Sequence, residues 1–213
     1  KVHFEYYEID NPRIRFKTDE IETLKKSGYV AKLIADQVTP GKKYKYEIFI
    51  NDLKVERDYT MEFQTQKLWK WRTDPPDVNF VIGSCSYVNE QQFDRPGNPY
   101  GNNFEIFNSI NNKNPDFMLW LGDNTYLREP DWNSRTGFIK RYSHTRALAE
   151  LQPLLASTHH YATWDDHDFG PNNSDGSFWL KETASEIFKL FWGNPNYDVT
   201  GKGGITGFFQ WGD

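Results

Sequence analysis

Three short runs in this 213-residue chain carry residue types able to hold a metal ion. They are Cys85 behind Gly83-Ser84, the run Gly122-Asp123-Asn124-Thr125-Tyr126, and the run Asp165-Asp166-His167-Asp168. Thiolate, carboxylate, phenolate and imidazole are all metal-ligand types. The last run is the strongest local signal, because its three carboxylates repel one another unless a cation sits among them. Asp123 has two oxygens with which to bridge two cations, and a phenolate such as that of Tyr126 favours a hard trivalent ion such as iron(III). Each run also has a plainer reading. The acidic run can be a solvated turn, Asp123 and Tyr126 a turn residue and a packed ring, and Cys85 a small core residue. The choice depends on whether the chain brings the three runs together.

The elements before each run supply that reason. From Val78 onward the pattern is strand, loop, helix, repeated. Asn79 to Ile82, Asp116 to Leu121 and Tyr161 to Trp164 read as short apolar strands. Phe104, Phe107 and Ile110 fall at helical spacing after Asn102-Asn103. Ser134 to Ala156 reads as one long helix, and Phe178 to Trp192 as another. Such alternation predicts a mainly parallel sheet covered by helices. Ligands in such sheets bind beyond the carboxyl ends of the strands. All three polar runs follow strands, so Cys85, Asp123, Tyr126 and Asp166 are expected at one edge of the sheet.

The front of the chain reads differently. Val2 to Ile9, Arg13 to Lys17, Tyr29 to Asp36, Lys43 to Asn51 and Tyr59 to Thr65 alternate as strands do. Thr39-Pro40-Gly41-Lys42 is a turn, followed by Tyr44, Tyr46, Ile48 and Ile50 on one strand face. With Phe63-Gln64-Thr65, this resembles the back half of a fibronectin type III module, in which such a tyrosine ties a corner with its hydroxyl. The expected organisation is a partial all-β sandwich over residues 1–66, a connector over 67–77 marked by Trp69, Trp71 and Pro75-Pro76, and a partial α/β domain over 78–213. Both ends read as strand-like runs cut short, so a piece of a longer protein is expected.

Composition narrows the function. Hydrophobic residues at 37 % and charged residues at 26 % fit a folded chain. A net charge of −5 argues against nucleic acid as a structural partner. No apolar run approaches the roughly 20 residues of a membrane helix. The single cysteine excludes an internal disulfide and a Cys-rich zinc site.

Three motifs together resemble the alkaline phosphatase D (PhoD-like) family of the calcineurin-like metallophosphoesterases. They are Phe80-Val81-Ile82-Gly83-Ser84-Cys85-Ser86, the run from Pro115 to Tyr126 (PDFMLWLGDNTY), and the run from Thr163 to Asn173 (TWDDHDFGPNN). Ser174-Asp175-Gly176-Ser177, Lys181 and the closing GFFQWGD run from Gly207 continue the likeness. The resemblance implies that Cys85, Asp123 and Tyr126 hold iron(III) and that Asp123 also reaches a second metal, typically calcium, with other divalent ions as alternatives. Asp166 stands where the wider superfamily has a metal-binding Asn. His167 matches the histidine that contacts phosphate and assists the leaving group. Asp165 and Asn173 are candidates for the second metal or its surroundings. A secreted, periplasmic or cell-surface location is implied as well.

The expected activity is hydrolysis of phosphate mono- or diesters by a hydroxide bridged between two cations. One departure stands out. The wider superfamily completes its site with His and Asp ligands from a later Gly-Asp-x-His-type segment, and none follows Asp168 here. The visible site is therefore expected to be at best half a site, and the chain by itself to lack full phosphatase activity. His3, His144, His159 and His160 read as packing or surface residues. The rival readings are an extracellular binding module, from the 17 % aromatic content, and an inactive relative that keeps the fold.

Overall fold

A computed structural model describes residues 1–90, 92, 94, 96, 97, 100 and 103–213. Two sheets organise these residues. The first is antiparallel, with β1 (Val2–Glu8), β2 (Phe16–Lys17), β3 (Lys43–Ile50) and β4 (Leu53–Val55) in the order β2-β1-β3-β4, and β5 (Glu62–Gln64) paired with the start of β3. The second is parallel, β6 (Phe80–Gly83), β7 (Phe117–Leu121) and β8 (His159–Thr163) in the order β6-β7-β8. Five helices accompany it: α1 (Glu105–Asn111), α2 (Arg135–Arg146), α3 (Gln152–Ser157), α4 (Asp166–Phe169) and α5 (Lys181–Phe191).

The front sheet is built on aromatic packing. Tyr6 and Tyr44 are each 1 % exposed, and Phe63 stacks on Tyr44 with ring centroids 5.1 Å apart. The Tyr44 hydroxyl accepts a hydrogen bond from the Thr39 N–H at 2.8 Å, which fastens the Pro40-Gly41 turn to the strand that follows it. The expected sandwich needs a second sheet facing the first. Among the described residues the front part forms one antiparallel sheet. Tyr29 to Asp36 does not join it. Side chains and turns there take other partners: Lys32 donates to the Trp192 carbonyl at the end of α5 (3.1 Å), and the Gln37 N–H donates to the Tyr6 hydroxyl (3.0 Å). The strand expected over Arg13 to Lys17 shrinks to Phe16–Lys17, and β4 is additional. Asn51 and Asp52, with φ of 48° and 63°, form the turn that folds β4 back on β3.

The rear sheet is parallel, as the strand–helix alternation predicts. One of its faces carries the core: Met118, Trp120, Phe138, Tyr142, Leu154, Ile187 and Phe188 lie in one buried cluster with the helices. Helix α5 turns Ala184, Ser185, Ile187 and Phe188 inward, the spacing of one apolar stripe. The expected long helix over Ser134 to Ala156 is broken. Leu148 is extended (φ −61°, ψ 124°), a short 3-10 turn follows over Ala149–Leu151, and Pro153 starts α3. Proline suits the first turn of a helix and interrupts its middle. Asp166–Phe169 is a single helical turn where a strand-to-loop turn was expected. Asn102 lies outside the described residues, and α1 begins after Phe104. The closing Phe208–Asp213 run forms no strand, although Phe209 stacks on Tyr161 with centroids 3.9 Å apart.

The two sheets share polar contacts. The Tyr46 hydroxyl donates to the Ala156 carbonyl (2.9 Å), and Gln64 donates to Asp116 (2.6 Å). Within residues 67–77, the Trp69 and Lys70 N–H groups donate to the Asp213 carboxylate (2.7 and 2.9 Å). That stretch is irregular but fastened.

His160 is wired into the core side of β8. The Trp120 indole N–H donates to its Nδ1 at 2.9 Å, so the ring proton sits on Nε2, 3.1 Å from the Leu154 carbonyl. Burial pushes its pKa down to about 4, against an ordinary 6.5. The unfolded chain then binds the proton first. His160 contributes stability that is present above pH 6.5 and is lost as the pH falls towards 4. Part of the residue meets water, which limits the effect to about 1–3 kcal/mol. Urea midpoints at pH 7 and pH 4.5 should differ more for the native chain than for His160→Gln; equal differences would show that His160 is not the cause.

Candidate metal centre

The three strands of the rear sheet deliver their polar residues at one step. Cys85 lies two positions beyond Gly83, Asp123 two beyond Leu121, and Asp165 two beyond Thr163. Cys85 and Asp123 both adopt left-handed backbone, φ 58° and 51°. Residues other than glycine rarely hold that conformation without support from their surroundings. Two backbone bonds supply it: the Cys85 N–H donates to the Gly122 carbonyl (3.2 Å) and the Ser86 N–H to the Asp123 carbonyl (2.8 Å). Gly122 itself has φ +101°, and a Cβ there would lie 2.7 Å from the Asp165 Cβ. Only glycine lets the ends of β7 and β8 approach so closely.

The side chains then converge on Asp123. The Tyr126 hydroxyl donates to Asp123 Oδ2 at 2.9 Å, and Cys85 Sγ lies 3.9 Å from the same oxygen. Asp123, Asp166 and His167 each offer a ligand atom within 4.8 Å of the others. Asp123 Oδ1 is buried without a hydrogen-bond partner among the described residues. A buried carboxylate oxygen left bare is costly unless a cation or donor meets it. A cation at this point fits the donor set, since it satisfies that oxygen and offsets the negative charge. Burial, then hydrogen bonding to Cys85 and Asp123, holds the Tyr126 phenol well above its ordinary pKa.

The remaining expected residues take different places. Asp165 caps α4, its carboxylate accepting from the Asp166 N–H at 3.0 Å. Asn173 meets Asp166 through its backbone N–H, which donates to the Asp166 carboxylate. The His167 ring lies against Tyr126, centroids 4.4 Å apart.

Two positioning residues were not singled out from the sequence. Asp168 is fully buried and accepts three backbone N–H groups: Asn124 (3.1 Å), Thr125 (2.8 Å) and Asp165 (3.1 Å). It staples the loop after β7 to the loop after β8. Burial pushes its pKa up to about 7 against the pull of those donors, with the Asp123 charge adding to the rise. Arg128 donates to the Tyr126 and Val88 carbonyls (2.8 Å each), so it holds the loops after β6 and β7. It also grips Asp94 with two bonds of 2.8 Å. Burial alone would raise the Asp94 pKa, but Arg128 and the Glu90 N–H outweigh it and hold the carboxyl down at about 2.

No protein-family model matches the chain, and no curated protein matches its sequence. Solved structures do. The structure of PhoD aligns with a TM-score of 0.68 at 18 % identity, over 89 % of this chain and 38 % of that one. A purple acid phosphatase isolated from yellow lupin (Lupinus luteus) seeds aligns with a TM-score of 0.58 at 12 % identity, over 92 % and 36 %. The chain thus spans somewhat over a third of the length of each. The PhoD-like resemblance carried by the three motifs is met in three dimensions, and the chain shares its fold with PhoD and with the lupin purple acid phosphatase.

Proposed function

We propose that the chain carries the amino-terminal half-site of a metal-dependent phosphoesterase acting on phosphate mono- or diesters in a PhoD-like protein. The observation behind this reading is the bare, buried Oδ1 of Asp123, the carboxylate that clusters with Asp166 and His167. Cys85, Asp123 and Tyr126 are the residues that would hold iron(III), and Asp166 with the shared Asp123 would hold calcium or another divalent ion. Such ions, when bound, polarise the phosphoryl oxygens and lower the pKa of a water. Asp123 orients the site by receiving the Tyr126 hydroxyl, and the Asn173 N–H fixes the Asp166 carboxylate. His167, whose ring lies against that of Tyr126, would contact the phosphoryl group and donate a proton to the departing alkoxide. Cys85 is a ligand in this reading and not an attacking nucleophile. The front sheet, with its Tyr44 corner, is in our reading one layer of a fibronectin type III-like sandwich, and the longer protein is secreted or surface-attached.

The decisive experiment is metal analysis together with hydrolysis of nitrophenyl phosphate mono- and diesters by the longer protein. Iron with calcium and metal-dependent turnover support the reading; a protein that retains no metal and cleaves neither ester would overturn it. Tyr126→Phe sharpens the test. Removing one oxygen leaves the packed ring in place, so the stability change should stay below about 1.5 kcal/mol. Visible absorption from phenolate-to-iron charge transfer should vanish or shift. An unchanged spectrum and iron content would make Tyr126 a packing residue.

A further inference from the structure

The front sheet holds a second group of ligand-type side chains, remote in sequence from the first. His3 on β1, Glu20 in the segment beside it and Asp52 in the β3–β4 turn each offer a ligand atom within 4.8 Å of the others. All three stand on backbone that is tied down. Val2 and Ile21 exchange two backbone bonds (2.8 and 2.9 Å), which sets Glu20 beside β1. The β1–β3 ladder pairs His3 with Phe49, and the Asn51 N–H donates to the Lys1 carbonyl (2.9 Å), which sets the Asp52 turn beside the start of β1.

His3 is the telling member. It is 3 % exposed, with its ring stacked flat on Phe49 (centroids 5.0 Å, 2° between planes). Most buried polar side chains find hydrogen-bond partners, although His144 Nε2 does not. His159 and His160 do so, through the Gln64 carbonyl at 2.7 Å and through Trp120 and Leu154. His3 makes no hydrogen bond among the described residues. Its Nδ1 points at Glu20 Oε2 from 3.8 Å, too far for a hydrogen bond. The other Glu20 oxygen, Oε1, binds the Lys1 ammonium at 2.7 Å, so Oε2 stays available. The His3 imidazole and two exposed carboxylates thus stand close to one another, with Lys1 paired to Glu20 and Lys17 also acting on it.

We infer that His3, Glu20 and Asp52 form a second metal site, for a first-row divalent transition ion of the zinc type. An imidazole nitrogen with two carboxylate oxygens matches that class, whereas calcium and magnesium prefer oxygen alone. The ion takes His3 Nδ1 and one oxygen from each acid, and water completes its shell. Lys1 competes with it for Glu20. The site is separate from the Asp123 centre and does not depend on the phosphoesterase reading.

Zinc titration followed by NMR of the histidine rings tests the inference, because it reads His3 apart from His167. In the full chain, zinc should move the His3 ring signals. In the double variant Glu20→Gln/Asp52→Asn, both at exposed positions, the zinc concentration needed should rise more than about tenfold. The His167 response should stay as it was. Lys1→Gln should lower the zinc concentration needed, since it removes the competing cation. His3 signals that stay still throughout the zinc titration would overturn the site. So would signals that move equally in the double variant.

Discussion

Asp168→Ala should unfold the chain about 10 °C earlier than the native sequence, a loss of about 3–5 kcal/mol in a denaturant titration. The reason is the number of donors that the carboxylate serves. Asn124, Thr125 and Asp165 all give their backbone N–H to it at 2.8–3.1 Å, in a site with no exposure at all. Alanine leaves three buried N–H groups bare, at about 1–3 kcal/mol each before relaxation or entering water reduces the sum. Asp168→Asn keeps one acceptor oxygen and should recover part of the loss. The effect should also reach the metal centre, because Asn124 and Thr125 lie between Asp123 and Tyr126 in the chain. Metal retention should therefore fall in Asp168→Ala although Asp168 offers no ligand. A variant less than about 1 kcal/mol weaker than the native chain, with metal retention intact, would show that water replaces the carboxylate and that the two loops stand without the staple.

The division between what was legible and what was not follows the range of the forces involved. The three rear strands could be read because each is a short apolar run closed by a polar cluster, and their parallel order follows from the helices between them. The placement of Cys85 and Asp123 at one edge follows from the same pattern. The acidic run was harder. In sequence Asp165, Asp166 and Asp168 are alike, yet Asp165 caps a helical turn, Asp166 joins the Asp123 cluster and Asp168 accepts from three backbone groups. Only the path of the neighbouring loop distinguishes them. Arg128 was invisible for the same reason, since its partners Val88, Asp94 and Tyr126 share no pattern with it. The break in the expected long helix was written locally, in Pro153, but an apolar spacing that continues across the break hid it. Tyr29 to Asp36 alternates as a strand does, and tertiary contacts of Lys32 with α5 decide otherwise. A second layer to the front sheet is not legible in this way, because a single alternating pattern shows that a strand has two faces, and not that a second sheet covers one of them.

Asp123→Asn should separate folding from metal binding more cleanly than any other substitution in the centre. Asp123 has left-handed backbone, φ 51°, and asparagine is the residue that tolerates that region best after glycine. The amide matches the carboxylate in size and keeps one oxygen for the Tyr126 hydroxyl, now 2.9 Å from Oδ2. The substitution also removes a negative charge that raises the pKa of the buried Asp168. Thermal stability without metal should thus be unchanged or slightly higher. The metal centre should fare differently. One oxygen becomes an NH2 group, which donates hydrogen bonds and does not ligate a cation, and the neutral amide no longer balances the ion's charge. Metal content after dialysis should fall sharply. In the longer protein, turnover of nitrophenyl phosphate esters should drop by about a thousandfold or more, the scale of removing a metal's polarisation and its lowering of a water pKa. A variant that melts at the native temperature, holds its metal and keeps its rate would mean that the bare Asp123 Oδ1 is met by water, and that Cys85, Tyr126 and Asp166 surround an ordinary turn.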